Sequence, residues 1–413
     1  EAFKKVISIV CPGIYKINED NFEDSAKYIL IYSQIPINFV KLWPEDKGIL
    51  KKILYGILVL ISVIHYSSLI LALFTIADDI DSFTRVISSI ECGAQVTIKA
   101  TLLYYNTKEL ESLIKIIRHD FWPSTAMGPK IDQDILKYTK QVSTISIIQY
   151  SCGLTFLLLN IWLPFTKTTK QLPHYAWFPF DWTKSPMYEL IYLMHSYFTG
   201  YLTCPVVVGY DILYYGICAN CIAQFRLLCQ AIKCFGTDEE EEVTQRLAKL
   251  VGIDADWKKD GRLLEVCVKY HQKLINVCED INRIYGNGHV LQLLSSAVGI
   301  CMSCYRISNE NNLNNITFLF LFYLAHTSQL FIYCTISHEL SYWSTCVSEA
   351  AYESLWYLKL NSEVKKSLCM IMTRSQKIIA MHAYGIFVLN HTSFVAVMRF
   401  TFTLYTFLTT IAK

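Results

Sequence analysis

Residues 53–76 read ILYGILVLISVIHYSSLILALFTI, an apolar stretch without a single charged side chain. At 1.5 Å per residue a helix over this stretch is about 36 Å long, which is enough to cross a hydrocarbon core of about 30 Å. The whole chain is similarly apolar, because 53% of its 413 residues are hydrophobic and its mean hydropathy is +0.30. Both observations indicate a membrane protein rather than an ordinary soluble domain.

Further apolar stretches give seven predicted transmembrane helices in an all-α membrane protein. The apolar pattern of the second span, at 83–105, is weaker than that of the first, because Arg85, Glu91 and Lys99 interrupt it. These residues have to face protein or water rather than lipid. A helical run from Leu263 leads into the short fifth span. The remaining six spans are 83–105, 143–165, 188–224, 290–305, 316–336 and 391–411. The final apolar region, 378–411, is too long for one crossing, and LNHTS at 389–393 is predicted to break it.

The distribution of positive charge predicts the orientation of these helices. Segments on the side of the N-terminus carry 28 of the 37 lysine and arginine residues, whereas the opposite loops carry five. Positive residues accumulate on the cytosolic side, so we expect a cytosolic N-terminus and an extracellular C-terminus. Scattered charges in residues 1–30 argue against a cleavable signal peptide. Residues 28–43 are too short to span and contain Pro36, which predicts an interfacial or re-entrant helix.

Two glycosylation sequons test this orientation, at Asn315 and Asn390. They lie at opposite ends of the sixth span, so at most one of them is exposed to the glycosylation machinery. The predicted orientation assigns that position to Asn315.

Several functional classes find no support in the sequence. A net charge of +2 provides no basic field for nucleic acid. Nucleophile-elbow, phosphate-loop and zinc-protease motifs are absent, so no catalytic residue, cofactor or metal site is predicted. The fifteen cysteines include Cys218-x-x-Cys221 and Cys301-x-x-Cys304, but both pairs lie within apolar helices. We therefore expect these cysteines to pack as small apolar side chains.

Three segments resemble the insect odorant receptor family. They are WFPFDWTKSPMYELIYL (177–193), SEAAYESLWYLKLNSEVKKSLCMIMTRSQK (348–377) and YGIFVLNHTSFVAVMRFTFTLYTFL (384–408). The likeness is most specific in AAYESLWY and in the Arg-Ser-Gln-Lys sequence before the last helix. The chain lacks the terminal Gln-Phe pattern of gustatory relatives and the long second cytosolic insert of the family's coreceptor. It thus resembles a ligand-tuned odorant receptor subunit, not the coreceptor.

The resemblance implies a ligand-gated, non-selective cation channel of four subunits in the cell membrane of a sensory neuron dendrite. The tuned subunit binds a small volatile odorant and assembles with the odorant receptor coreceptor, through cytosolic helices that form an anchor domain. The alternatives are a gustatory-type receptor channel, a seven-helix receptor that signals through a cytosolic partner, and a transporter, although the two halves show no inverted repeat. The implied organisation begins with an N-terminal cytosolic segment that includes the interfacial helix (1–52). Spans one to four follow (53–224), with a long second extracellular loop at 166–187. The rest of the chain consists of cytosolic helical extensions (225–289), spans five and six (290–337), cytosolic anchor helices (338–390) and a pore-lining seventh span (391–413).

The resemblance also places the odorant pocket in the outer halves of spans two to six. The side chains there are apolar and aromatic with few hydrogen-bond donors, as in small-molecule pockets. Gly153 is expected to leave room for a ligand, and Tyr323 and His326, three residues apart, are expected to hold a ligand carbonyl. Each residue taken alone would serve equally well in packing between helices. The predicted lining is Ile87, Ile90, Tyr150, Gly153, Leu157, Tyr192, His195, Ser196, Thr199, Phe322, Tyr323 and His326.

The expected ligand is neutral, such as an ester, alcohol, ketone or terpenoid. Arg306 is the only basic residue placed at the outer ends of spans four to six, and we expect it to lie at the water interface. A buried carboxylate ligand would need a charged or strongly donating partner there.

The last span carries the predicted gate. Thr403, Thr406 and Thr410 share one face of this helix, and the opposite face carries the three residues predicted for the pore and gate, namely Tyr405, Leu408 and Ala412. The resemblance implies an apolar ring at Leu408 and Ala412, which excludes water when the pore is closed. The threonines are expected to bond across helices or back to their own backbone.

Overall fold

The computed structural model describes residues 29–76, 80–162, 172–251, 261–358 and 361–411, and most of them are helical. Two segments of wider π-helical turns occur, at Ile116–Asp120 and Tyr197–Val208; the second is called the wide-turn segment below. Short 3₁₀ turns lie at Ser124–Met127 and Trp356–Leu358. The helices are α1 (Ile29–Phe39), α2 (Ile49–Thr75), α3 (Ile80–Tyr105), α4 (Thr107–Lys115), α5 (Pro129–Trp162), α6 (Met187–Ser196), α7 (Gly209–Lys233), α8 (Glu240–Val251), α9 (Arg262–Asn309), α10 (Leu313–Glu353), α11 (Ser362–Ser375) and α12 (His391–Ile411).

Seven helical passages correspond to the seven predicted spans. Within the described residues, five of them are long and apolar enough to cross a membrane by length and composition: α2, the passage Leu202–Lys233, α9, the passage Leu313–Leu358 and α12. The other two, α3 and α5, cover the predicted spans 83–105 and 143–165. The fold is that of a multi-pass membrane protein.

The fourth span is one long helical passage with a change of pitch in its middle. α6 leads into the wide-turn segment, which leads directly into α7. Pro205 lies within the wide-turn segment and has no backbone N–H to donate to the preceding turn. Because wide turns relax the normal hydrogen-bond ladder, a proline is tolerated there, and the sequence alone predicted no such change of pitch.

Two helices are much longer than a bilayer is thick. α9 has 48 residues and α10 has 41, which correspond to about 72 and 62 Å. A hydrocarbon core of about 30 Å covers less than half of either helix. Both therefore continue beyond the membrane, as the alternation of charged and apolar residues in 263–289 indicates.

The centre of the bundle is α7. In the passage Leu202–Lys233 the most apolar window is 94% buried, and α1, α9 and α10 all pack against α7. α1, the segment predicted as an interfacial or re-entrant helix, contacts α7 at Gly209. A Cβ atom on Gly209 would lie 2.9 Å from Ile37 Cγ1, so the absence of a side chain allows this close approach.

A two-stranded hairpin precedes the last helix. β1 (His382–Ala383) pairs antiparallel with β2 (Phe387–Val388), and Asn282 of α9 holds the hairpin by bonding the carbonyl of Ala380 and the backbone N–H of His382. The Asn390 side chain then accepts from the Ser393 N–H at 2.8 Å and caps α12. The apolar region 378–411 is broken as predicted and the last helix begins at residue 391, but the non-helical segment covers 376–390 rather than 389–393.

Cysteines pack as the sequence predicts. Cys218, Cys221 and Cys301 are buried between helices, and the fourteen cysteines of the described residues are free thiols.

Candidate ligand pocket and pore helix

α3 and α10 meet through a buried histidine of the predicted pocket. His326 Nε2 lies 3.5 Å from Glu91 Oε2, and both side chains are almost completely buried. The Phe322 ring packs edge-on against His326 at 4.4 Å between centroids. Ile87, one turn before Glu91, and Ile90, directly before it, are half-buried on α3, and Ile90 packs on a small apolar cluster with Leu69 and Val86. The structure therefore brings Phe322 and His326 of the predicted set together beside Glu91 of α3, whereas Ile90 packs on the cluster at Leu69 and Val86.

Tyr323 does not share the environment of His326. Its ring is half-buried and stacks on the exposed Phe320 at 6.2 Å, one turn away on the outer surface of α10. Phe322 and His326, spaced four residues apart, are the pair that points inward. Periodicity alone could not separate these two faces, because three and four residues both return to the same side of a helix.

A second group of predicted residues lies where α6 meets the segment 172–186, which the sequence predicts as an extracellular loop and which is called the outer loop below. His195 is fully buried, and its ring lies 5.2 Å from that of His65 and 5.6 Å from that of His174. Tyr192 is buried one turn before His195, and Ser196 is half-buried. These three histidines form a cluster that the sequence analysis did not identify, because they come from α2, the outer loop and α6.

The outer loop enters the bundle to reach this cluster. The backbone N–H of Trp177 donates to the Ser68 carbonyl of α2 at 3.1 Å, and His174 Nδ1 lies 3.0 Å from Ser89 Oγ of α3. Burial lowers the pKa of His174 to about 4, so this loop histidine is neutral at pH 7. The loop thus covers the space between α2, α3 and α6.

The α5 members of the predicted set contact the wide-turn segment. A Cβ atom on Gly153 would lie 3.1 Å from Val208 Cγ2 and 3.5 Å from Cys204 Sγ, so this side of α5 is already packed. Tyr150 is half-buried on α5. The side chains of Leu157 and Thr199 lie outside the described part of the structure, as does Ala412 of the predicted gate.

Arg306 is less exposed than the predicted water-interface position implies. It is half-buried near the C-terminal end of α9, and its charged neighbours are Arg85 and the carboxylates of Asp81 and Glu310. These acids offset its charge, so Arg306 is not an unopposed cation for a carboxylate ligand.

A buried ion pair lies deeper in the bundle, and its pairing was missed from the sequence. Lys99 of α3 and Asp211 of α7 are both fully buried, and Lys99 Nζ lies 2.6 Å from Asp211 Oδ1. Gln292 Oε1 accepts from Lys99 at 3.0 Å, while Tyr333 Oη and Gln329 Nε2 donate to Asp211. Four helices are joined by this network. An aspartate inside an apolar stretch and a lysine inside another were the available signals, because such residues are rare in membranes without a partner.

α12 differs from every other candidate span in its exposure. The most apolar window of α12 is only 6% buried, and Thr401 is its one buried residue among 391–411. Tyr405 Oη donates to Ser308 Oγ of α9 at 3.3 Å, and Leu408 is half-buried on the same side. Within the subunit, the face predicted to carry the gate is therefore turned toward α9.

The exposed side of α12 carries a polar stripe. Arg399, Thr403, Thr406 and Thr410 are all exposed at helical spacing. The three threonine hydroxyls donate to backbone carbonyls three or four residues earlier, at 2.8–3.1 Å. The expected backbone bonding of these threonines is confirmed.

Comparison with known proteins identifies the family. The sequence model described as "7tm Odorant receptor" matches residues 79–402, which is most of the chain. The chain belongs to the insect odorant receptor family. The relatives and solved structures that it resembles are named as odorant or olfactory receptors, not as enzymes.

Individual relatives are distant in sequence. Odorant receptor 85b of Drosophila melanogaster is 25% identical over 232 residues, covering 56% of this chain and 55% of the relative. Odorant receptor Or1 of Anopheles gambiae is 20% identical over 395 residues, covering 90% and 89%. The match to Odorant receptor 85b, like that to a second Drosophila relative, spans about half of the relative's length.

The fold itself matches a solved odorant receptor. The structure of the insect olfactory receptor OR5 from Machilis hrabei in complex with eugenol has a TM-score of 0.78 and 17% identity, covering 94% of this chain and 97% of that one. A second structure of OR5 from the same insect has a TM-score of 0.77 and 17% identity, covering 92% of this chain and 96% of that one.

Proposed function

We propose that this chain is the odorant-binding subunit of a ligand-gated, non-selective cation channel in the plasma membrane. It assembles with the odorant receptor coreceptor into a tetramer, and the family resemblance suggests the dendrite of a sensory neuron as its location. The N-terminus is cytosolic, the C-terminus is extracellular and Asn315 is the glycosylation candidate.

The observation that carries the channel proposal is the exposed polar stripe of α12. Arg399 is exposed eight residues into an apolar helix, about 12 Å from its start. A charged side chain at that depth is costly in lipid, so it requires water or another protein surface. An assembly of subunits around a central pore provides such a surface, because each subunit then presents the stripe to the adjacent subunit.

The gate is proposed at Leu408, supported by Tyr405 and Ala412. Apolar side chains close a pore by excluding water from it. Leu408 lies near the outer end of α12 and is half-exposed, so part of its side chain is available at the helix surface.

The odorant site is proposed at the outer ends of α3, α5, α6 and α10, and the ligand is a small neutral volatile. Its buried residues include the aromatic Tyr192 and Phe322, and its buried polar groups include Glu91, His195 and His326. Eugenol, the ligand in the Machilis hrabei OR5 structure, is described for that protein and guides the choice of test compounds. Strong activation by short carboxylic acids without any response to neutral volatiles would contradict the ligand class.

Expression of the chain with and without the coreceptor tests the function. The proposal predicts odorant-evoked cation current only when both chains are present, recorded in excised patches without cytosolic messengers. A response that requires a diffusible cytosolic messenger would favour a receptor that signals through a partner.

A further inference from the structure

Between α3 and α10, three side chains with metal-ligating atoms converge inside the bundle. Glu91, Cys92 and His326 each offer one donor atom, and these three atoms lie within 4.8 Å of one another. Cys92 Sγ lies 3.6 Å from Glu91 Oε2, and His326 Nε2 lies 3.5 Å from the same oxygen. We propose that these residues form a binding site for one Zn²⁺ ion.

The distances suit tetrahedral zinc. Zinc binds nitrogen and oxygen at about 2.0–2.1 Å and sulfur at about 2.3 Å, so neighbouring donors in a tetrahedral site lie about 3.3–3.6 Å apart. The separations from Glu91 Oε2 to His326 Nε2 and to Cys92 Sγ, 3.5 and 3.6 Å, fall in that range. The donors therefore need little movement to take up an ion.

The charges also suit a buried ion. Glu91 and His326 are almost completely buried, and Cys92 is half-buried. One carboxylate, one thiolate and one neutral imidazole around Zn²⁺ have a net charge of zero. A neutral group costs much less to bury in a membrane protein than an isolated carboxylate does. The neighbouring Lys99–Asp211 pair is likewise neutral as a unit.

The surroundings hold these ligands in place. Gln95 Nε2 donates to Glu91 Oε1 at 2.7 Å, which orients the carboxylate and leaves Oε2 toward the histidine. Gly299 of α9 provides the space for the imidazole, because a Cβ atom there would lie 2.9 Å from the His326 ring. His326 Nδ1 is buried without a hydrogen-bond partner among the described residues. A flip of the ring exchanges the positions of nitrogen and carbon atoms without moving the ring plane, so either nitrogen can bind the ion.

Three protein ligands leave one position of a tetrahedral ion open. Such sites accept water or a donor atom of a small molecule, whereas structural zinc sites have four protein ligands. The simpler alternative is a Glu91–His326 ion pair without metal. The zinc proposal does not depend on the channel proposal, because it is tested without odorant or current.

Cobalt spectroscopy on the purified full chain tests the site. Co²⁺ is added to the metal-free protein in detergent, and the near-ultraviolet absorption from thiolate-to-cobalt charge transfer is measured. We expect this band at one equivalent per chain and its loss on addition of Zn²⁺. Absence of a thiolate band at saturating Co²⁺ would overturn the proposal in favour of the ion pair.

Matched variants assign the band to these residues. Cys92→Ser and Glu91→Gln preserve size, and we expect Cys92→Ser to abolish the band and Glu91→Gln to weaken cobalt binding at least tenfold. Cys152→Ser, an exposed cysteine of α5, should leave the band unchanged. His195→Asn should also leave it unchanged, because the His65–His174–His195 cluster has no thiolate. Retention of the band in Cys92→Ser would contradict the assignment.

Discussion

Lys99 and Asp211 lie 112 residues apart in sequence, and their charged atoms are 2.6 Å apart in a fully buried pair. The pair joins α3 to α7, and its hydrogen-bond partners extend the connection to α9 and α10. Removal of one partner leaves an uncompensated charge inside the bundle, which typically costs about 3–5 kcal/mol. The stability of the four-helix centre therefore depends on both residues.

We expect Lys99→Met and Asp211→Leu each to reduce thermal stability in detergent and surface expression strongly. The double variant should recover a large part of the loss, since it removes both charges together. Fluorescence-detected size-exclusion chromatography after heating measures this. The control is the exposed pair Arg85–Asp81, where Asp81→Asn should have an effect below about 1 kcal/mol. A double variant that is as unstable as the sum of the single variants would contradict the pairing.

Because of the buried His174, we expect the folded protein to lose stability in acid. Its pKa in the folded protein is lowered to about 4 from 6.5 by burial, so the unfolded chain binds a proton first as the pH falls. Stability should therefore be fully present above pH 6.5 and decrease progressively between pH 6.5 and 4, by about 2 kcal/mol at pH 5.

The measurement is thermal unfolding of the full chain at pH 7.5 and pH 5, compared with His174→Gln. His65 and His195 face His174 and remain in the variant, so part of the acid sensitivity persists. An unchanged pH dependence in His174→Gln would show that this loop histidine is accessible to protons in the folded state.

Phe322 and Phe320 lie on the same helix but on different faces, which makes them a matched pair. Phe322 is buried against His326, whereas Phe320 is half exposed at the surface. We expect Phe322→Ala to reduce odorant potency at least tenfold, because a ligand contact of more than about 1.4 kcal/mol is lost. Phe320→Ala should shift the dose–response curve by less than threefold. The comparison uses dose–response curves normalised to surface expression, and equal shifts would place the odorant elsewhere.

Gly236 supports the connection between α7 and α8. Its φ angle is +84°, and a Cβ atom would lie 2.7 Å from the backbone oxygen of Leu355. A side chain there meets both backbone strain and a steric clash, so we expect Gly236→Ala to destabilise the chain by at least about 2 kcal/mol. Gly56 of α2 has no neighbouring atom within 4 Å, and Gly56→Ala should be neutral or stabilising. Similar melting temperatures for both variants would contradict the close contact with Leu355.

The sequence was sufficient to predict those elements whose structure is determined by local patterns. Residues 391–411 were predicted as the final span and are helical in α12, and its start is defined locally, because an apolar stretch follows the capping Asn390. Apolar length alone accounts for five of the seven predicted spans, whereas α3 and α5 do not meet that criterion.

Contacts between residues far apart in the chain could not be predicted from the sequence. Lys99 and Glu91 were expected to face protein or water, but nothing local indicates that their partners are Asp211 and His326. The histidine cluster likewise depends on how the outer loop enters the bundle, at His174. The sequence also could not decide whether a residue three or four positions from His326 shares its inward face. Tyr323 does not share it, whereas Phe322 does.

Permeation through the assembled receptor tests most directly whether α12 lines the pore. Leu408→Ser and Thr406→Val are each expressed with the unmodified coreceptor, and unstimulated current and reversal potential are recorded in two cation mixtures. We predict that Leu408→Ser raises the unstimulated current or shifts the reversal potential, and that Thr406→Val changes both much less. The opposite ranking would place the exposed threonine stripe in the pore instead of Leu408. Odorant-evoked current with unaltered reversal potential and unstimulated current in both variants would contradict a pore lined by α12.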